Sequence, residues 1–348
     1  MSSLKPFAKG PLAVPLVRHL LLALIGLGAV LVLISVLSPF RNIQLTQMGY
    51  LAIAAGGMTV LTGFTGQLSL GHGAFMAVGA YTTALMLGAD DPLPFLVALL
   101  GGTAVALVAG AAVGVAAARL HGPYVAGATL ALAVALPALA LFFEDLGGEQ
   151  GLPVRAPDAP DWILDAVYFV TGVDLSNSQF MALLTWACLL LVYVLLANLA
   201  RTRVGRRWRA VRDDDVAAEL TGIKLGPARV SAFMVSTACA GLAGSLMALS
   251  TRLAAPSGFT LNLSLLLLCA IVLGGLGTLS GALVGSALIT FLPQVVTQWG
   301  AEAGLDDIRA AELAPLVYGL TVMAVILLAP AGLIGSLRNL WLRRRGAA

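Results

Sequence analysis

The sequence predicts an all-α polytopic membrane protein of about ten transmembrane helices, and three observations predict it: a composition too apolar for water, apolar windows of span length, and charges gathered into a few segments. Of 348 residues, 59% are hydrophobic and 11% charged, against about 25% charged in soluble chains. The mean hydropathy is +0.95. The 20 basic and 17 acidic residues could not cover a globule of this size, which excludes a soluble enzyme, a disordered chain and a disulfide scaffold. Cys188, Cys239 and Cys269 lie inside apolar runs without zinc or disulfide spacing and read as small packing residues. A span with a short loop takes roughly 25–35 residues, so the length accommodates about ten.

The windows fall at 17–37, 46–62, 69–88, 95–117, 124–143, 179–200, 229–251, 262–276, 281–298 and 314–334. Lys5, Lys9 and Arg18 precede the first window. Its apolar stretch of about twenty residues exceeds a signal-peptide core of 7–15, so it reads as a retained span. Glycines interrupt the second and third windows at Thr62–Gly73, and the eighth and ninth at Gly274–Gly281. Each interruption is a turn between helices or a broken helix. The fifth and sixth windows are separated by a polar, acidic stretch, and the sixth and seventh by a basic one.

Basic residues mark the cytoplasmic side. From Arg201 to Arg229 there are eight basic residues against four acidic ones (Asp213, Asp214, Asp215, Glu219), and the tail carries Arg338, Arg343, Arg344 and Arg345. These segments and the N-terminus are expected inside. The stretch 144–178 has seven acidic residues and one basic, Arg155, and is expected outside with Asp90–Asp91 and 302–312. Ten spans satisfy every charged segment, whereas nine or eleven would misplace one. The expected organisation is a cytoplasmic N-terminus (1–16), a membrane domain (17–335) with an external acidic loop (144–178) and a cytoplasmic loop (201–228), and a basic cytoplasmic tail (336–348). Spans two to five then start and end outside, and seven to ten inside, the arrangement of two inverted halves.

No catalytic set is visible. The histidines are His19, His72 and His121, no H-E-x-x-H occurs, and no span holds paired carboxylates. Gly277-Thr278-Leu279-Ser280-Gly281 resembles a serine elbow only loosely and reads as a small-residue turn. Apart from His72 the spans hold almost no ionisable group, which weakens an ion-coupled carrier. Lys5, Lys9 and Lys224 lack the glycine-rich approach of a phosphate-binding loop, so if ATP drives the protein another subunit binds it. No metal site, cofactor or nucleic-acid partner is expected in the chain.

Three segments are candidates for function. Thr62 to Tyr81 is glycine-rich and places Gln67, Ser69, His72 and Phe75 at membrane depth, where polar groups need partners. They either line a translocation path or bond nearby backbone. In the basic loop, Asp213, Asp214 and Asp215 suit a helix start, Gly222 its C′ stop and Pro227 the first turn of the next span. A short helix is therefore expected over 213–221, with Val216, Ala217 and Leu220 offering an apolar face to a partner; the alternative is a solvated loop. Gly147, Gly148, Gln150 and Gly151 form an external glycine-rich turn, able to bind a carboxylate or dock a protein, or simply to turn the chain.

These residues resemble the membrane permease subunits of bacterial branched-chain amino-acid ABC importers, most closely the LivM type. Gly66-Gln67-Leu68-Ser69-Leu70-Gly71-His72-Gly73-Ala74-Phe75 is similar to that family's signature after the second helix. Gly205 through Gly222 resembles its cytoplasmic coupling segment. Ala240–Gly244, Val272–Thr278 and Tyr318–Gly335 resemble its later helices. The resemblance implies a ten-helix permease half paired with a LivH-like permease, two cytoplasmic ATPase subunits that bind ATP and magnesium, and an extracytoplasmic substrate-binding protein. It implies ATPase coupling through Arg212, Asp213, Asp214, Asp215, Val216, Glu219, Leu220 and Gly222, and path-lining roles for Gln67, Ser69, His72 and Phe75. The chain departs from the family pattern at Val134, Pro137, Leu146 and Gln150. Urea and short-amide importers share the family, so both substrate classes stay open, beside a self-sufficient secondary carrier.

Overall fold

The computed structural model describes residues 15–88, 93–120, 123–155, 157–172, 174–302, 306–329 and 332–337. The N-terminus before Pro15, Asp90–Asp91 and the tail from Arg338 lie outside them. Among the described residues the long helices are α1 (Pro15–Val36), α2 (Pro39–Met58), α3 (His72–Gly88), α4 (Phe95–Ala117) and α5 (Pro123–Phe142). A short helix α6 (Asp161–Thr171) precedes α7 (Asn177–Leu199). Two more, α8 (Arg203–Asp213) and α9 (Asp215–Leu220), precede α10 (Leu225–Thr251), α11 (Leu261–Gly274), α12 (Leu279–Glu302) and α13 (Asp307–Leu328). Seven of the described helices are long and apolar enough to cross a membrane. α3 has only 17 residues, and α2 opens with Arg41, Asn42 and Gln44, which lowers its hydropathy.

Local chemistry explains the boundaries. Pro39 sits in the first turn of α2 behind Ser38, where its missing N–H costs nothing, so this helix starts earlier than the apolar window at 46. Its far end widens into a π-helical turn, Thr59–Phe64. A capping box opens α7: the Ser176 backbone N–H donates to Gln179 Oε1 at 2.9 Å, and the Gln179 N–H to Ser176 Oγ at 3.4 Å.

The core is built around α10, which packs against α2, α3 and α4. Small residues let the backbones meet, since lipid supplies no hydrophobic drive between helices. A side chain on Gly79 would strike the Gly241 carbonyl, and one on Gly241 would strike Ala106. Ser245 Oγ lies 3.1 Å from the Gly79 carbonyl and 2.9 Å from that of Gly241.

Connections gather at two opposite ends. One end holds α8 and α9, the end of α2 and the α11–α12 turn, joined through Arg212, which bonds Gly63 and abuts Gly277; Leu120 and Val125 border the cavity beside it. His19 at the start of α1 meets Asn198 at the end of α7 (3.0 Å), and Gly332 meets Gly275. At the other end Gln179 Nε2 donates to the Ile34 carbonyl at 3.1 Å. There Leu152–Pro153 pairs antiparallel with Leu253–Ala254.

Candidate functional site

Gln67, Ser69, His72 and Phe75 come together inside the protein. After the π turn the chain runs without helix from Gly66 to Gly71 and re-enters the bundle before α3 begins at His72. The Leu70 N–H donates to Thr129 Oγ1 of α5 at 3.0 Å, and the Gly73 N–H to Ser264 Oγ of α11 at 2.9 Å. Ser69 Oγ accepts from the Gly71 N–H at 3.4 Å. Phe75 meets Phe233 of α10 edge to face, centroids 6.3 Å apart. All four residues are buried. Gln67 Oε1 and His72 Nε2 have no partner among the described residues, although unpaired buried polar atoms cost roughly 1–3 kcal/mol each.

The loop between α7 and α10 is more structured than its charge suggested. The helix expected over 213–221 is divided: Asp213 closes α8, and Asp214 is the N-cap of α9. Asp214 Oδ1 accepts from the N–H groups of Val216 (2.9 Å) and Ala217 (3.0 Å), a standard satisfaction of free helix-start donors. At the other end Gly222 has φ +84°. Its N–H bonds the Glu219 carbonyl (2.9 Å), and the Ile223 N–H reaches the Ala218 carbonyl (3.1 Å), the Schellman stop that favours glycine. Ala218 is buried while Val216 and Leu220 project, 68% and 84% exposed. Glu219 is exposed.

Sequence reasoning missed α8. Its signal was present in the spacing of Gly205, Trp208 and Val211, which form its buried stripe within a run of arginines whose charge masked the periodicity. Trp208 is 1% exposed and its indole N–H donates to Ser231 Oγ of α10 at 3.0 Å. A cavity of about 390 Å³ lies beside it, lined by Arg207, Gly222, Lys224 and Pro227 among others.

The acidic triplet and its neighbours do not share one role. Asp215 pairs with Arg229 of α10, a residue only 7% exposed. Arg212 turns toward the bundle, and its Nη1 donates to the Gly63 carbonyl at 2.6 Å. Between these ties lies a second cavity of about 300 Å³, bordered by Thr65, Gly66, Gln67 and residues 211–215. Among the described residues no group of three or more His, Cys, Asp or Glu could hold a metal ion.

At the opposite end two short 3₁₀ turns, Glu144–Leu146 and Gly148–Gln150, are joined by Gly147 and closed by Gly151. Gly151 (φ +72°, ψ −176°) occupies backbone space that only glycine adopts readily, and a side chain there would collide with the Ala254 carbonyl. The turn is pressed onto the strand pair, and the Val154 N–H bonds the Arg252 carbonyl at 3.0 Å. The Gly277–Gly281 stretch is a helix start in which Thr278 Oγ1 accepts from the Gly281 N–H at 3.1 Å.

Comparison with known proteins agrees with this architecture. A family described as "Branched-chain amino acid transport system / permease component" matches residues 42–329. The chain is 31% identical over 280 residues to the LivM high-affinity branched-chain amino acid transport permease of Salmonella typhimurium, covering 74% of this chain and 65% of that protein. It is 28% identical over 306 residues to LivM of Escherichia coli, covering 84% and 69%. To the BraD permease of Pseudomonas aeruginosa it is 25% identical over 303 residues, covering 82% and 91%. The chain thus spans about two thirds of the length of the two LivM relatives. No solved structure matches it.

Proposed function

The chain belongs to the family of permease components of branched-chain amino acid transport systems, and we propose that it forms half of the translocation path of an ATP-driven importer in a bacterial cytoplasmic membrane. The substrates are branched-chain or related amino acids. The partners are a LivH-like second permease, two ATPase subunits that bind ATP and magnesium, and an extracytoplasmic binding protein.

One observation carries the coupling part of this reading: α9 is capped at both ends and presents Val216 and Leu220 to solvent from an anchored platform, α8. An apolar pair exposed on a fixed helix is what a partner subunit can grip. Movement of that partner then tips the bundle between outward-open and inward-open states.

The topology proposed is ten spans with both termini cytoplasmic. Alternation of the helix connections between two ends supports it, as does the basic character of the end holding α8 and α9. Inverted halves α2–α5 and α10–α13 are supported by matching packings: α10 on α4 mirrors α2 on α12, α3 on α4 mirrors α11 on α12, and α3 on α10 mirrors α11 on α2. Short helices α3 and α11 each follow a break in the α-helical run, non-helical residues before α3 and a strand with a 3₁₀ turn (Pro256–Phe259) before α11, at opposite ends of the bundle. Gln67 and His72 are path residues in this reading, and opening of the path supplies partners for their free atoms.

The test is reconstitution of this chain with its partner subunits in proteoliposomes. ATP-dependent uptake of labelled leucine, absent without the ATPase subunits, is the expected result. Uptake driven by an ion gradient without them would establish a secondary carrier instead. Uptake of urea in preference to leucine would move the substrate to the short amides.

A further inference from the structure

We propose that Arg212 is a positioning residue: it clamps the junction of two membrane turns and transmits movement of α9 to the re-entrant 65–71 segment, rather than serving as a docking charge for the ATPase. The assignment rests on the permease reading above.

The geometry around this one side chain is specific. Gly63 lies in the last turn of the π-helical end of α2, where carbonyls lack helical partners. Arg212 supplies the partner through Nη1 at 2.6 Å. A cation there also faces the negative end of the helix dipole. The Arg212 Cγ packs against Gly66, and Nη1 abuts Gly277 in the α11–α12 turn. Gly63 and Gly277 are themselves in backbone contact, since a side chain on Gly63 would meet the Gly277 Cα within 2.6 Å. Arg212 therefore touches both turns where the two four-helix halves meet.

Its mechanical position is equally specific. Arg212 precedes by two residues the extended Asp214 that separates α8 from α9. On one side of the 300 Å³ cavity the loop is tied to α2 through Arg212, and on the other to α10 through Asp215 and Arg229. Gln67, one of several residues whose buried oxygen lacks a partner among the described residues, borders the same cavity. Only two residues separate Arg212 from α9, so a pull on α9 reaches the Arg212 tie as well as the Asp215–Arg229 tie, and the cavity gives the 65–67 backbone room to follow. Arg212 is exposed along part of its length, yet its Nη1 is held on the Gly63 carbonyl rather than left free for a partner.

The experiment uses the complete transporter with Cys188, Cys239 and Cys269 replaced by alanine and Leu68→Cys as reporter; Leu68 is 53% exposed on the re-entrant segment. With Arg212 present, trapping the ATPase subunits with ATP and vanadate should change the Leu68→Cys labelling rate at least threefold. In Arg212→Ala the ATPase subunits should co-purify in the same ratio, the labelling rate should no longer respond to trapping, and leucine uptake should fall at least tenfold. Loss of the ATPase subunits from the Arg212→Ala complex would make Arg212 a docking or folding residue and overturn the proposal. So would a preserved labelling response. A complex with Arg212 intact that transports nothing refutes the permease reading, a result separate from either of these.

Discussion

The two ends of the bundle are closed by different means. At the end bearing the glycine-rich turn, closure is made by backbone: Leu152–Pro153 pairs with Leu253–Ala254, and Gly151 presses onto the Ala254 carbonyl. At the end bearing α8 and α9, side chains reinforce the backbone contact of Gly63 with Gly277. Arg212 reaches Gly63, Trp208 reaches Ser231, and Asp215 reaches Arg229. Backbone pairing has few conformations available and breaks as a unit. Long side chains can swing and re-form their bonds, so the ties of the second end are the ones that can be remade without unpairing backbone.

Substitutions at the strand-paired end should act on folding, and those at the end bearing α8 and α9 on coupling. The largest effect is expected from Gly151→Val, which combines a forbidden backbone conformation with a collision at Ala254. It should cost at least about 2 kcal/mol and remove most folded protein, read by size-exclusion recovery and thermal melting. Full recovery would mean the turn is not the clasp described. Next, Leu220→Asp places a charge on the exposed face of α9. Uptake per ATP hydrolysed should fall roughly tenfold, with the membrane domain melting unchanged. Normal coupling would remove α9 from the transmission path.

A smaller effect is expected from Asp214→Ala, which deletes the N-cap of α9. Loss of such a cap costs about 1 kcal/mol, seen as faster amide exchange over 215–220 and a partial loss of coupling. If exchange is unchanged, the cap does not hold the helix. Smallest of all, Asp158→Cys and Lys224→Cys should leave transport intact. Impermeant thiol reagents should reach residue 158 from outside and residue 224 from inside only. The reverse pattern would invert the assignment of the two ends.

Much of this was legible in the sequence, for definable reasons. Gly222 was readable as a helix stop because a C′ residue must adopt positive φ, a one-residue demand. The apolar windows located the long helices because burying unpaired backbone in lipid is prohibitive. The start of α2 was misjudged because Arg41, Asn42 and Gln44 interrupt its apolar pattern, and tertiary contacts supply what the window lacked: Asn42 Nδ2 donates to the Ile34 carbonyl at 3.2 Å. The split between α8 and α9 was hidden for a related reason. Three consecutive aspartates all suit a helix start, and only the fold shows that the middle one caps.

The sequence by itself determined what is local or additive: an all-helical membrane chain, the approximate windows, the contrast between an acidic and a basic loop, and the absence of any recognisable catalytic set. Tertiary structure alone decided who touches whom. Arg212 was one basic residue among eight in its loop, readable as an ATPase contact or as part of a solvated loop. Its meeting with Gly63, 149 residues earlier in the chain, depends on where two helices cross. Sequence spacing fixes the face of a helix, and only packing fixes what that face meets.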